Sequence, residues 1–315
     1  MAKLIINRLL LGILTLFAVS VLIFVCTEIL PGDVASAVLG QGATPEALVI
    51  FRKELGLDVP AYLRYWNWLL GALQGDLGVA LTNKRVIVDE VMPRLGNTLF
   101  LAGYAALIAI PLAVGLGIYS AINEANIADK LSNILTLIAI SFPEFFIAYL
   151  LIIFFAVNVE VFPSLATVSP GMPFTERIYQ TTLPAITLTL LVAAHMLRMT
   201  RSSVLAVMST PYIEMAFLKG AQRGRVIVRH ALPNAAAPII TVIALNLAYL
   251  VVGVVVIEAV YVYPGLGQLM VDAVSKRDVP VIQACGLVFA MVFVLLNTAA
   301  DILVILVNPR LRHKR

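Results

Sequence analysis

The chain has 315 residues, of which 61% are hydrophobic and 13% charged, and its mean hydropathy is +0.98. A soluble domain carries about 25% charged residues, so this composition excludes an ordinary cytosolic enzyme, a disordered chain and a disulfide-rich secreted domain. The net charge of +4 is not a nucleic-acid signal, because the basic residues form no soluble basic face and read better as membrane topology.

A membrane span needs about 20 mainly apolar residues to cross roughly 30 Å of hydrocarbon. Six segments qualify: Leu9–Thr27, Thr98–Ile122, Leu131–Val157, Ile178–Leu197, Ala231–Ile257 and Val279–Ala300. Helices are required, since lipid offers an open backbone no hydrogen-bond partners. Lys3 and Arg8 precede the first run, and Ala35-Ser36-Ala37 has the spacing of a cleavage site. The run is longer than a signal h-region, which predicts a retained anchor. Cys26 and Cys285 lie in apolar runs with no metal or redox spacing and read as small hydrophobes.

The stretch from Pro31 to Gly96 reads as a folded loop. Thr44-Pro45-Glu46 has the order N-cap, N1 proline, first-turn acid. Gly56 is placed to close that helix, and Leu48, Phe51 and Leu55 share one face. A second helix is expected from Pro60 to Gly75, carrying Tyr62, Tyr65, Trp66, Trp68 and Leu69, a composition suited to the membrane interface. It fits either a cap over the bundle or a docking surface for an outer partner.

With a cytoplasmic N-terminus, 13 Lys and Arg fall in inner segments and 3 in the short outer loops; the other 6 share the long loop with 7 acids. Both termini are therefore expected in the cytoplasm. Inside the spans, a charge at mid-membrane costs about 2.5–3.5 kcal/mol on insertion scales, so each one is a functional candidate. Glu144 lies about 20 Å into the third span, just after Pro143, which can kink the helix. It reads as a protonated acid bonded to backbone, a pathway wall favouring cationic groups, or a contact to a partner helix. Glu28 and Glu258 sit at the outer ends of the first and fifth spans, reaching water or forming an acidic mouth. Arg198 and Asp301 are candidates to pair at the inner ends. His195 reads as a hydrogen-bonded helix residue, Asn246 and Asn297 as bonds between helices, and Gly115 and Gly117 as sites of close helix approach.

Between the fourth and fifth spans, Thr210 is placed to cap a helix with Pro211 at N1, and Gly220 to end it. At about 13 Å this helix is too short to be stable alone in water. Tyr212, Met215, Ala216 and Phe217 give it apolar residues away from lipid, which need a groove in this chain or on a partner. Lys219, Arg223, Arg225 and Arg229 follow, as topology signals or partner contacts.

The run Tyr212-Ile213-Glu214-Met215-Ala216-Phe217-Leu218-Lys219-Gly220, followed by His230-Ala231-Leu232-Pro233-Asn234-Ala235, resembles the EAA loop of ABC-importer permeases of the dipeptide/oligopeptide/nickel family. Further family-like stretches are Leu30-Pro31-Gly32-Asp33, Glu54-Leu55-Gly56-Leu57-Asp58, Gly75-Asp76-Leu77-Gly78, Arg198-Met199-Thr200-Arg201-Ser202-Ser203, Tyr263-Pro264-Gly265-Leu266-Gly267, Arg277-Asp278-Val279-Pro280-Val281 and Asn308-Pro309-Arg310. Met215 departs from a common alanine, and Glu144 from a common small or neutral residue. Lys84-Arg85-Val86 and Gly96 stand where the family often has proline.

The resemblance implies an all-α membrane protein with the type I ABC-importer permease fold. It divides into residues 1–30, with the first span; 31–96, a periplasmic loop; and 97–315, a five-helix core including a cytoplasmic coupling segment, 198–235. It implies a permease subunit of the bacterial inner membrane forming half of a pathway for peptides or similar small solutes. A second homologous permease, two cytoplasmic ATP-binding subunits and a periplasmic solute-binding protein would complete the complex. Tyr212, Glu214, Ala216, Phe217 and Gly220 would couple to the ATPases, while Glu144, Glu28 and Glu258 would flank the pathway. No catalytic residue, metal or cofactor is expected on this chain, which has no G-x-x-x-x-G-K-[ST] loop; ATP and Mg would sit on the partners. An ion-gradient-driven transporter or channel would instead show interrupted helices in two matching halves, and a membrane enzyme would show H-E-x-x-H or a nucleophile with its base.

Overall fold

The computed structural model describes residues 2–29, 44–54 and 58–307. Leu30-Pro31-Gly32-Asp33, Ala35-Ser36-Ala37, Leu55-Gly56-Leu57 and the tail Asn308-Pro309-Arg310 lie outside the described residues, as does the Phe51 side chain. Helices α1 (Ala2–Ile29), α2 (Pro45–Glu54) and α3 (Ala61–Leu73) come first. Then follow α4 (Ile87–Ile122), α5 (Ile127–Ser141) and α6 (Glu144–Leu151), the last widening into a π-helical stretch, Ile152–Asn158. Next are α7 (Phe174–Met208), α8 (Pro211–Leu218) and α9 (Arg223–Val226), which runs through a π-helical turn, Ile227–Ala231, into α10 (Leu232–Val260). The order ends with α11 (Leu266–Lys276) and α12 (Val279–Val307).

Among the described residues, five helices are long and apolar enough to cross a membrane, and a bent pair, α5 with α6 and its extension, makes a sixth candidate. The break in that pair is sharper than a kink: the two halves meet at 105°. Pro143 supplies the cause. It lacks an N–H and pushes its predecessor out of the helical region, and Phe142 accordingly has φ −94° and ψ 141°. Pro143 is itself extended, and its carbonyl accepts from Phe146 and Ile147 to start α6.

The central core joins α4, α6, α7 and α10. On α4 its buried residues are mostly alanines, and Ala105, Ala109 and Ala113 there, like Ala185 of α7, are almost inaccessible. Between helices in lipid the driving force is close packing rather than release of water, which favours such small residues. Gly117 shows it best. A Cβ there would lie 2.8 Å from the Leu197 carbonyl oxygen and from Thr200 Cβ, whereas a Cβ at Gly115 would meet open space. Close approach is thus Gly117's role alone of the two glycines. Asn246 and Asn297 do not bridge helices: each amide donates to its own helix, to Val242 and Phe293 respectively.

A second core lies at the end of the bundle opposite α8. There Ile87 and Val91 of α4 pack with Leu266 and Leu269 of α11 and with Val281, Ala284 and Cys285 of α12. α4 has 36 residues, about 54 Å of helix, so its first turns extend past the apolar span read from Thr98. α3 packs on α1, and Ala72 near its end joins the second core. Tyr65 is buried between Phe17 and Phe24, its hydroxyl is 2.9 Å from Ser20 Oγ, and Arg64 pairs with Glu28.

Candidate functional site

α8 is an eight-residue helix. Its main anchor is Ile213, fully buried against Val226, Ala231, Val207 and Met208. Thr210 occupies the cap position, but its hydroxyl donates to the Val207 carbonyl and makes no cap bond to α8, so N-capping falls short of the sequence expectation. The C-terminus closes as a Schellman motif. Gly220 has φ +78°, its N–H donates to the Phe217 carbonyl at 2.9 Å, and the Ala221 N–H donates to the Ala216 carbonyl at 3.2 Å. Only a residue tolerant of left-handed geometry suits this turn.

With Ile213 turned inward, the other apolar side chains face out. Tyr212 is 45% exposed, Met215 53%, Phe217 36% and Leu218 75%. Glu214 is exposed beside them, and Ala216 is half-buried against the Ile213 cluster. Sequence reasoning placed the helix and named most of this face, but missed Ile213 as anchor and Leu218 as the most exposed position. Their only signal is an unbroken apolar run, which does not say which side turns inward.

The three carboxylates named from the sequence do not converge. Glu144 is the first residue of α6, where the positive end of the helix dipole favours a negative group. It is partly buried, and a Cβ on Gly253 of α10 would lie 3.6 Å from its Oε1. Glu28 is taken up by its ion pair with Arg64. Glu258 does not stand at an open mouth; it is fully buried. Its carboxylate accepts from Thr98 Oγ1 at 2.6 Å, the Gly267 N–H at 2.7 Å and the Gln268 N–H at 3.2 Å. It thereby caps α11, whose own N-cap residue, Gly265, has no side chain. Charge-assisted bonds of this kind are the strong ones. Around this corner the Asn97 amide donates to the Pro264 carbonyl, and Tyr263 Oη donates to the Asn97 carbonyl at 2.8 Å. Burial pushes the Tyr263 phenol up to about 12.

At the α8 end, Asp301 pairs with Arg8 of α1 at 2.9 Å and not with Arg198. His195 is exposed on α7 and has no hydrogen-bond partner among the described residues. Asp129 of α5 is 3% exposed and accepts from Arg201 Nε at 2.7 Å and Nη2 at 2.8 Å, an interaction no local pattern announced.

A bundle of long apolar helices with one broken span, and a short apolar helix displayed between two of them, invites comparison with known transport proteins. Residues 113–313 match the family model described as "Binding-protein-dependent transport system inner membrane component". Residues 1–102 match the model for the N-terminal part of such membrane components. The chain belongs to the inner-membrane component family of binding-protein-dependent transport systems.

Two relatives make the membership specific. The glutathione transport system permease protein GsiC of Escherichia coli O6:H1 is 38% identical over 314 residues, covering 100% of both chains. The protein of the same name in Shigella dysenteriae serotype 1 is 37% identical over 314 residues, again covering 100% of both. An inward-facing structure of the MetNI methionine ABC transporter matches with a TM-score of 0.55 at 17% identity, over 70% of this chain and 98% of that one. That likeness shows the fold, that of a type I ABC-importer permease. The chain is thus a permease subunit of an ABC importer, a transport component of the inner membrane and not itself an enzyme. Such a system works with a solute-binding protein and with nucleotide-binding ATPase subunits.

Proposed function

We propose that the permease forms half of a translocation pathway for peptides or peptide-like small solutes, beside a second homologous permease, over two cytoplasmic ATPases that hold ATP and Mg. Both termini and α8 face the cytoplasm, as the distribution of Lys and Arg favours. Residues 31–96 form the periplasmic part, 97–315 the core and 198–235 its coupling segment. The substrate reading draws on the full-length likeness to permeases named for glutathione transport. Glu144 faces the pathway, whereas Glu28 and Glu258 hold α3 and α11 in place.

One observation carries this reading: α8 fixes itself with a buried Ile213 and leaves Tyr212, Met215, Phe217 and Leu218 uncovered. An apolar helix face without lipid is a helix-in-groove ligand. With Glu214 at its rim and Gly220 setting its end, α8 fits a groove on an ATPase and passes nucleotide-driven closure to the spans. Leu218 is the cleanest probe, because it contributes nothing to the permease's own core. Leu218→Asp should leave the permease folded and strip the ATPases from the purified complex. Ala216→Asp should do the same at the expense of the Ile213 cluster. Leu218→Asp complexes that retained ATPases in normal amount and coupled uptake would contradict the assignment.

A further inference from the structure

The segment that carries α8 is tied at both flanks to one place, the turn between α4 and α5. On the near side, Arg201 of α7 makes a two-nitrogen contact with Asp129, in the first turn of α5. On the far side, Arg223, which opens α9 just after α8, donates through Nη2 to the carbonyl of Ile122, the last residue of α4. The arginine there meets the negative end of the α4 dipole and one of its orphan carbonyls.

The turn itself is built around Asp129. Its carboxylate also accepts from Ser120 Oγ, from the Ala125 N–H at 3.0 Å and from Asn133 Nδ2 at 3.1 Å. Ala125 sits at φ +67°, a left-handed geometry that a non-glycine residue adopts only when its surroundings impose it. Gly117, one turn back on α4, presses directly on Leu197 and Thr200 of α7. A buried ion pair gives little net stability, since desolvation offsets its attraction; a carboxylate with this many partners fixes geometry instead. From this turn α5 leads straight to the break at Phe142 and Pro143 and to Glu144 at the start of α6.

We propose that the α4–α5 turn is the relay between α8 and the broken span, with Asp129 and Arg223 as positioning residues of the transport cycle. The proposal rests on the reading of α8 as the helix that docks on the ATPases. When α8 is displaced, Arg201 and Arg223 move the turn from two sides, and α5 carries that movement to the bend beside Glu144. Neither residue touches the transported solute or the nucleotide.

The test uses the assembled complex in liposomes with its binding protein, and labelled glutathione and labelled dialanine as probes. It measures bound ATPase, ATP turnover and uptake per ATP for Asp129→Asn, Arg223→Ala and Arg223→Lys. Asp129→Asn and Arg223→Ala should keep the ATPases bound and hydrolysing while uptake per ATP falls by about tenfold, within the usual range of coupling between sites. Arg223→Lys should recover part of the loss, since one ammonium donor still reaches a carbonyl. Unchanged uptake per ATP in Arg223→Ala overturns the relay, and so does loss of bound ATPase in step with uptake, which would make these residues supports of α8 only. Should Asp129→Asn fail to assemble, Arg223→Ala decides, because its bond lies at the surface. Failure of the α8 reading is separately visible, as ATPase that stays bound in Leu218→Asp.

Discussion

Gly115 and Gly117 are two residues apart on one helix and look equivalent in the sequence, yet only Gly117 touches α7. A methyl group at Gly117 must displace a backbone carbonyl and a β-branched side chain, and overpacking of this sort costs about 1–3 kcal/mol. At Gly115 the added methyl enters open space and helix propensity favours it by up to about 1 kcal/mol. Gly117→Ala should therefore lower the thermal midpoint of the purified complex, while Gly115→Ala leaves it unchanged or raises it. Equal responses would show that the α4–α7 approach is looser than described. Glu258 gives the same lesson for charge. Its position at a span end suggested an exposed acid, but the donors that satisfy it, Thr98 and the N–H groups of Gly267 and Gln268, come from elements that only the fold brings together.

Helices in this chain were legible where one apolar run decided them. The spans, the proline at N1 of α8 and the left-handed Gly220 all follow from local chemistry. Their ends were less legible: α4 and α7 run beyond their apolar stretches, since charged residues outside the membrane still favour helix. The third span shows the limit. Pro143 announced a kink, but the 105° bend also needs Phe142 extended. The bend sets Glu144 on the positive end of a half-helix, where a carboxylate is tolerated, and in the proposed pathway it would meet an amine or other cation. Transport of cationic peptides should fall severalfold in Glu144→Gln while that of neutral ones is spared. Identical uptake kinetics for both classes, with assembly intact, would remove Glu144 from the pathway.

For the molecule as a whole, composition and hydropathy were enough to set the class, and the motif around α8 pointed to the family that the full-length relatives then showed. What sequence could not supply was the tertiary wiring. Asp129 and Arg201 are 72 positions apart, and Arg223 and Ile122 are 101 apart, with no periodicity linking either pair. The resulting picture is of a transport subunit with an uncovered apolar helix, whose work is driven from another subunit. Reconstitution in liposomes tests this most directly. Uptake of labelled glutathione or dialanine should require the ATPases, ATP and Mg together, and should stop when any one is withdrawn. Full-rate uptake by this permease without them, or uptake driven by a proton or sodium gradient alone, would contradict it.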